Sequence, residues 1–169
     1  MNKQSLILLD GMTGAGKTTA TRILSEKMPR TAIIGMDRVK RFVSDFERGE
    51  RDNKIAREIV LTLASKYLDL GLSVIVDQPF TAEEVEVYQS LADKHALPIF
   101  KFQLFAKPEV AYARVIDRQK DKADKVPEER IQRNISLFND RADLGFTVID
   151  TSDLNENGAS EIMLNALSE

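Results

Sequence analysis

Three glycines, a lysine and three threonines lie within nine consecutive residues of this 169-residue chain, in the stretch GMTGAGKTT. Gly11, Gly16, Lys17 and Thr18 have the spacing G-x-x-x-x-G-K-[ST]. Glycines let backbone N–H groups approach a ligand closely, and consecutive N–H groups form a concave anion-binding site. The residue types therefore predict a phosphate-binding loop, in which Lys17 reaches the β- and γ-phosphates of a nucleotide and Thr18 binds Mg²⁺.

The sequence on either side places this loop between a strand and a helix. The apolar run SLILL (5–9) precedes it, and a helical pattern over 17–28 follows it. The positive end of the helix macrodipole would then add to the attraction for phosphate. A glycine-rich turn without a ligand is the alternative, but it leaves Lys17 and Thr18 unexplained.

Two aspartates follow apolar strands. Asp37 comes directly after TAIIGM (31–36), and Asp77 ends LSVIVD (72–77). Because ligands of parallel α/β sheets bind beyond the carboxyl ends of the strands, both side chains should face the bound nucleotide. Asp37 is expected to take a proton from an acceptor hydroxyl, and Asp77 to contact the metal, a metal-bound water or the acceptor. The alternatives are a helix N-cap for Asp37 and a cap or turn for Asp77.

The stretch ARVIDRQKDKADKVPEERIQRN is the most polar in the chain. Arg114 and Arg118 are four residues apart, and Arg130 and Arg133 are three apart, so each pair shares a helix face. Two arginine-bearing helices joined by a polar linker predict a lid over bound nucleotide, at about 114–133. A solvated hairpin is the alternative, because Asp117, Asp121 and Asp124 lie among the arginines. A second basic stretch, over 38–57, is expected on the acceptor side or on a plain charged surface.

Strands and helices alternate along the whole chain. Further strands are predicted at 98–105 and 146–150, and further helices at 52–70, at 81–95, from Pro108 and at 159–167. The capping-box residues Thr81 and Glu84 mark the start of one of these helices. Such alternation implies a parallel sheet covered by helices on both faces. We predict one three-layer α/β domain over residues 1–169.

The composition is that of an ordinary globular protein. Hydrophobic residues make up 43% and charged residues 30% of the chain, which argues against a disordered or membrane protein. The absence of cysteine excludes disulfides and thiolate metal sites, and no apolar run is long enough to span a membrane. We therefore expect a cytoplasmic protein. Its net charge of −3 makes nucleic acid a less favoured partner than a small molecule.

The motifs together resemble the small P-loop kinase superfamily, which includes zeta toxins, AAA-type ATP-binding kinases, chloramphenicol phosphotransferase, and shikimate and gluconate kinases. The likeness rests on GMTGAGKTT, GMDRVKR, VIVDQPF, ARVIDR and VIDTSDL, in that order over nearly the whole chain. It implies a three-layer α/β/α P-loop NTPase fold with a five-stranded parallel sheet of order 2-3-1-4-5 and a helical lid. It also implies ATP and Mg²⁺ as cofactors and transfer of the γ-phosphate to a hydroxyl of a small-molecule acceptor.

The resemblance assigns roles to individual residues. The expected catalytic residues are Lys17, Asp37 and Arg118. The expected nucleotide-binding residues are Gly11, Met12, Thr13, Gly14, Ala15, Gly16, Lys17, Thr18, Thr19, Arg114 and Thr151. Thr18 and Asp77 are the expected metal ligands. The acceptor is expected to contact Asp37, Lys40, Arg41, Asp77 and Arg133.

Some residues depart from the family patterns and leave other functions open. Lys40 stands where many members with a phosphorylated or nucleic-acid acceptor have arginine, and VIVDQPF lacks the adenylate kinase motif, so a nucleoside monophosphate is not expected. A polynucleotide 5′-hydroxyl or a nucleotide-sugar is an alternative acceptor. A nucleotide-binding module without kinase activity is a third hypothesis, although NKIA (53–56) lacks the aspartate of a guanine-binding motif.

Overall fold

The computed structural model describes residues 4–47, 49–121, 125–139 and 143–168. Five strands alternate with seven helices over these residues. The strands are β1 (Leu6–Gly11), β2 (Thr31–Gly35), β3 (Ser73–Asp77), β4 (Ile99–Phe105) and β5 (Thr147–Asp150). The helices are α1 (Lys17–Lys27), α2 (Met36–Lys40), α3 (Glu50–Asp69), α4 (Ala82–Lys94), α5 (Pro108–Arg118), α6 (Glu128–Asn139) and α7 (Gly158–Ala166).

All five strands are parallel and lie in the order β2-β3-β1-β4-β5, as the resemblance to small P-loop kinases implies. The central strand β1 pairs with β3 on one side and β4 on the other, and its four apolar residues, 6–9, are fully buried. Ile7 and Leu9 pack against α1, α5, α6 and α7, whereas Leu6 and Leu8 pack against α2, α3 and α4. The fold is therefore the expected three-layer α/β/α arrangement of P-loop NTPases.

The sheet order brings the functional candidates to one edge. β3 lies between β2 and β1, and Gly35 pairs in register with Asp77. Because all carboxyl ends point the same way, the loop after β1, the end of β3 and the start of α2 are neighbours. Met36 begins α2 rather than ending β2, and the N-cap of α2 is Gly35. The alternative role of Asp37 as an N-cap is therefore wrong.

The buried face of helix α3 is not the face that its apolar sequence pattern indicates. Ile55, Ile59, Leu63 and Tyr67 recur every four residues and correctly indicate a helix, but Ile55 and Ile59 are exposed. The buried face lies one residue further along, at Ala56, Val60, Ala64 and Leu68. Ile55 and Ile59 instead line a surface groove of about 390 Å³ together with Phe42 and Val43.

Helix α4 begins with the capping box that the sequence predicts. The Thr81 hydroxyl accepts a hydrogen bond from the Glu84 N–H at 3.3 Å, and the Glu84 carboxylate accepts one from the Thr81 N–H at 2.8 Å. Two N–H groups that the helix start would leave unpaired are thereby satisfied. Across the described ranges, none of the helices has the length and apolar character needed to span a membrane.

Candidate functional site

The loop after β1 adopts a conformation that its glycines permit. Gly11, Gly14 and Gly16 have φ values of +152°, +80° and +91°, in a region that other residues rarely adopt. A Cβ atom on Gly11 or Gly14 would collide with backbone atoms of Leu104 or Ala111, respectively. The loop is therefore packed tightly against the end of β4 and against α5, which fixes the direction of its N–H groups.

We expect Gly14→Ala to destabilise the protein by about 3 kcal/mol or more, because it combines a disfavoured φ with a collision against the backbone of Ala111. Gly71→Ala is the matched control, since Gly71 has a similar φ of +77° with no atom within 4 Å of the added Cβ. Its expected cost is about 1 kcal/mol. Urea unfolding measures both, and equal losses would show that the loop is not packed as described.

A cavity of about 570 Å³ lies over the loop and the neighbouring strand ends. The residues that line it include nine of the predicted site residues outside the glycines, namely Met12, Thr13, Lys17, Thr18, Thr19, Asp37, Arg41, Asp77 and Arg118. Lys17 Nζ donates hydrogen bonds to the carbonyl oxygens of Gly11 at 2.5 Å and Met12 at 3.3 Å. The ammonium group therefore lies across the loop.

Asp77 is the acidic side chain most strongly affected by its surroundings in this cavity. Burial raises the pKa of Asp77 above its ordinary value of 3.8, while the positive charge of Lys17 partly opposes that rise. Neighbouring carboxylates, those of Asp37 and Asp10, add to the increase. The ionised side chain is therefore held at an electrostatic cost that a bound cation would relieve.

The donor set fits a magnesium ion. Thr18 and Asp77 line the same cavity, so a hydroxyl and a carboxylate are offered together. The described part of the chain holds no cluster of three or more His, Cys, Asp or Glu side chains that could cage a metal. Mg²⁺ commonly takes one or two protein ligands and completes its shell with water and phosphate oxygens. These two residues therefore suit a metal that arrives with a nucleotide.

We expect Asp77→Asn to raise the melting temperature of the ligand-free protein while lowering magnesium-dependent turnover by about tenfold or more. The folded-state pKa of Asp77 is raised, so its charge destabilises the fold at pH values above that pKa. As the pH falls towards 3.8, wild type takes up the proton and the advantage of asparagine disappears. Thermal unfolding between pH 8 and pH 4 checks this, and an advantage that grows on acidification would contradict it.

Asp37 lies in the first turn of α2 and projects into solvent, with 86% of its side chain exposed. It lines the loop cavity and also a second cavity of about 950 Å³, which Arg41, Arg130 and Arg133 share. Lys40 is largely buried, and its Nζ lies 3.5 Å from Asp37 Oδ1. The structure therefore brings Asp37 and three predicted acceptor contacts together, with Lys40 directed at the carboxylate.

The two arginines of α5, Arg114 and Arg118, line different cavities. Arg114 donates hydrogen bonds to the Thr151 hydroxyl at 3.0 Å and the Thr151 carbonyl at 2.7 Å, and both residues line a cavity of about 300 Å³ beside the loop. The Thr151 hydroxyl lies 3.1 Å from the carbonyl oxygen of Ala15 and 3.0 Å from that of Phe105, and it donates its single proton to one or the other. Arg118, one turn further along α5, lines the loop cavity and makes no ion pair within the described ranges.

Only some residues of the two basic segments line these cavities. In the segment 38–57, Arg38 and Arg41 line the loop cavity, whereas Arg57 forms an ion pair with Glu84. Arg48 lies outside the described residues, as do residues 122–124 of the predicted lid, including Asp124. Lid closure therefore remains a prediction from the sequence.

Sequence reasoning missed two polar residues at the strand ends. Asp10 is 2% exposed and accepts hydrogen bonds from the N–H groups of Gly11 at 2.6 Å and Phe80 at 3.1 Å, so it ties the loop to the segment after β3. Gln78 is also 2% exposed and lines the loop cavity next to Asp77. A glutamine carries no motif signal, and its position directly after the strand-end aspartate is the only indication that the sequence offers.

The sheet order and the glycine-rich loop after β1 define the three-layer fold of P-loop NTPases. A family model described as an AAA domain matches residues 6–140, and the chain belongs to this family. No curated protein sequence gives a significant match.

Solved structures show the same fold at low sequence identity. A candidate kinase from Chloroflexus aurantiacus is 19% identical with a TM-score of 0.72, over 99% of this chain and 98% of its own. The tunicamycin resistance protein of Deinococcus radiodurans is 16% identical with a TM-score of 0.67, over 97% and 95%. A sugar kinase from Janibacter sp. HTCC2649 is 15% identical with a TM-score of 0.66, over 98% and 95%.

Proposed function

We propose that this protein is an ATP-dependent kinase that transfers the γ-phosphate of ATP·Mg to a hydroxyl of a small-molecule acceptor. The observation that carries the proposal is that the loop cavity and the 950 Å³ cavity share Asp37 and Arg41. Phosphate-binding groups lie on one side of Asp37, and room for a second molecule lies on the other. Both cavities fall in the size range of small-molecule sites. The sugar kinase and the antibiotic resistance protein among the structural relatives support an acceptor of this size.

Different residues of the chain have different roles in the proposed reaction. Loop N–H groups and Lys17 bind the β- and γ-phosphates, and Arg114 and Thr151 border the smaller cavity, which suits the adenine ring. Mg²⁺ held by Thr18 and Asp77 would neutralise negative charge on the phosphates. Arg118 adds a permanent positive charge next to the transferring phosphoryl group. Most of the rate enhancement then comes from positioning and charge stabilisation.

Asp37 provides the proton acceptor for the transfer. The acceptor oxygen forms a bond to the γ-phosphorus while the bond from that phosphorus to the β,γ-bridging oxygen breaks. The hydroxyl proton passes to the Asp37 carboxylate, and ADP leaves with the bridging oxygen. The high exposure of Asp37 leaves its carboxylate accessible to an incoming hydroxyl, and Lys40 restrains it from the buried side.

A screen for ADP release tests the proposal. Purified protein with ATP·Mg is mixed with pools of sugars and sugar acids, nucleosides, hydroxylated antibiotics including aminoglycosides, and 5′-hydroxyl oligonucleotides. One pool should stimulate ADP release. If ATP binds and no pool stimulates turnover, the protein is a nucleotide-binding module rather than a kinase.

An anionic acceptor, such as a polynucleotide 5′-hydroxyl or a nucleotide-sugar, is the second candidate. Arg41, Arg130 and Arg133 line the 950 Å³ cavity, and none of them forms an ion pair with another described residue. Guanidinium groups favour phosphate or carboxylate, and three of them line this cavity together with Lys40. For a polynucleotide the KM would rise steeply with salt, whereas a neutral sugar would show little salt dependence.

A further inference from the structure

The side chain of Gln78 is buried directly beside the reacting groups. Gln78 follows Asp77 at the end of β3, and its N–H donates to the carbonyl of Leu9 on β1 at 3.3 Å. Since β3 lies between β1 and β2, Gln78 lies between the phosphate-binding loop and Asp37. It lines the loop cavity with both aspartates.

The contacts of the Glu84 carboxylate fix the orientation of the Gln78 amide. Its Nε2 donates a hydrogen bond to Glu84 Oε1 at 3.2 Å. The Glu84 carboxylate is itself held by the Thr81 N–H at 2.8 Å and by an ion pair with Arg57. Because an ionised carboxylate only accepts hydrogen bonds, the NH₂ end of Gln78 must face Glu84. The carbonyl end is thereby directed away from Glu84.

That carbonyl oxygen, Gln78 Oε1, is buried and has no hydrogen-bond partner among the residues that the structure describes. Leaving a buried acceptor unpaired is unfavourable, so a group of this kind calls for an explanation. In the same described ranges, Thr31, Tyr88 and His95 also carry a buried atom without a hydrogen-bond partner, although His95 Nε2 lies 3.4 Å from Asp69 Oδ1, and none of these three residues lines the loop cavity. Of these four residues, Gln78 is the one that lines the loop cavity, so a ligand bound there is the candidate partner for its carbonyl.

We propose that Gln78 Oε1 accepts a hydrogen bond from a second hydroxyl of the acceptor, next to the hydroxyl that is phosphorylated. The preferred acceptor is then a vicinal diol, as in a sugar or polyol. Adjacent strands lie about 4.8 Å apart, so groups following β2 and β3 can hold hydroxyls on neighbouring carbons. The inference rests on the proposed kinase function and names the acceptor chemistry for the same site.

Gln78→Met tests this, because methionine keeps the volume and removes the carbonyl. Gln89→Met is the matched control, since Gln89 makes the same type of bond, to Asp93 Oδ1 at 3.0 Å, and does not line the cavity. The probes are sugars, sugar acids and nucleosides, each beside its deoxy analogues, with ADP release as the readout. Wild type and Gln89→Met should prefer the diol by about tenfold or more in kcat/KM, and Gln78→Met should lose that preference.

The melting temperature of the ligand-free protein gives a second readout. Gln78→Met loses the hydrogen bond to Glu84 but also removes an unpartnered carbonyl, so its melting temperature should stay close to that of wild type. A large fall would indicate a merely structural glutamine. If Gln78→Met does not fold, Glu84→Gln serves instead, because it frees the Gln78 amide to turn over and should weaken the diol preference with ATP affinity unchanged.

The possible results separate the two proposals. If diols and their deoxy analogues stimulate ADP release equally, and Gln78→Met does not change this result, the diol inference is overturned. The kinase function then still stands. An absence of stimulation by any acceptor overturns the kinase function and this inference with it.

Discussion

Lys17→Met should lower ATP turnover by about 10²–10³-fold, because it removes the positive charge of the loop that we propose to contact the phosphates. Lys17 Nζ donates hydrogen bonds to the carbonyls of Gly11 and Met12, which position it over the loop. Methionine retains most of the side-chain length, so the loss reflects charge and hydrogen bonding rather than packing. ADP release at saturating acceptor measures the effect.

Lys27→Met is the matched control for this substitution. Lys27 is exposed at the end of the same helix, α1, and lines none of the cavities around the loop. It should leave turnover and nucleotide affinity unchanged. Turnover by Lys17→Met within about twofold of wild type would show that the loop does not bind the reacting phosphates.

Asp37→Asn should lower kcat by about 10²–10⁴-fold, which is the usual contribution of a general base. ATP affinity and the melting temperature should stay close to wild type, because the side chain is 86% exposed and contributes little to packing. Asparagine keeps the shape but does not take up the proton of the acceptor hydroxyl. Steady-state kinetics, with binding of a fluorescent ATP analogue, separate the two quantities.

Asp45→Asn controls for the loss of a surface charge near the site. Asp45 is exposed in the segment between α2 and α3 and does not line the loop cavity. It should retain full activity. If Asp37→Asn were as active as Asp45→Asn, another group would have to accept the proton, or the chain would not catalyse transfer to a hydroxyl.

Features encoded by local sequence could be predicted. The loop residues from Gly11 to Thr18 need a turn with positive φ values, and glycine spacing records that need directly. The capping box of Thr81 and Glu84 is likewise a local pattern with a local cause. The sheet order followed from the resemblance to small P-loop kinases and matches the structure.

Features that depend on contacts between distant elements could not be predicted. Glu84 reads as a capping residue, but α3 supplies Arg57 and the end of β3 supplies Gln78, so one carboxylate serves three partners. The apolar residues that indicated α3 lie beside its buried face, because burial is decided by what α2 and β3 place against the helix. Pairing of this kind is set by tertiary packing rather than by spacing in the sequence.

The fate of the γ-phosphate tests the central claim most directly. ATP labelled at the γ-phosphate is incubated with the protein and an acceptor that stimulates ADP release, and labelled acceptor, free phosphate and ADP are quantified together. A kinase should place label on the acceptor in an amount equal to the ADP formed, and Asp37→Asn should abolish that product. Label that appears only as inorganic phosphate, whatever acceptor is present, would contradict the account.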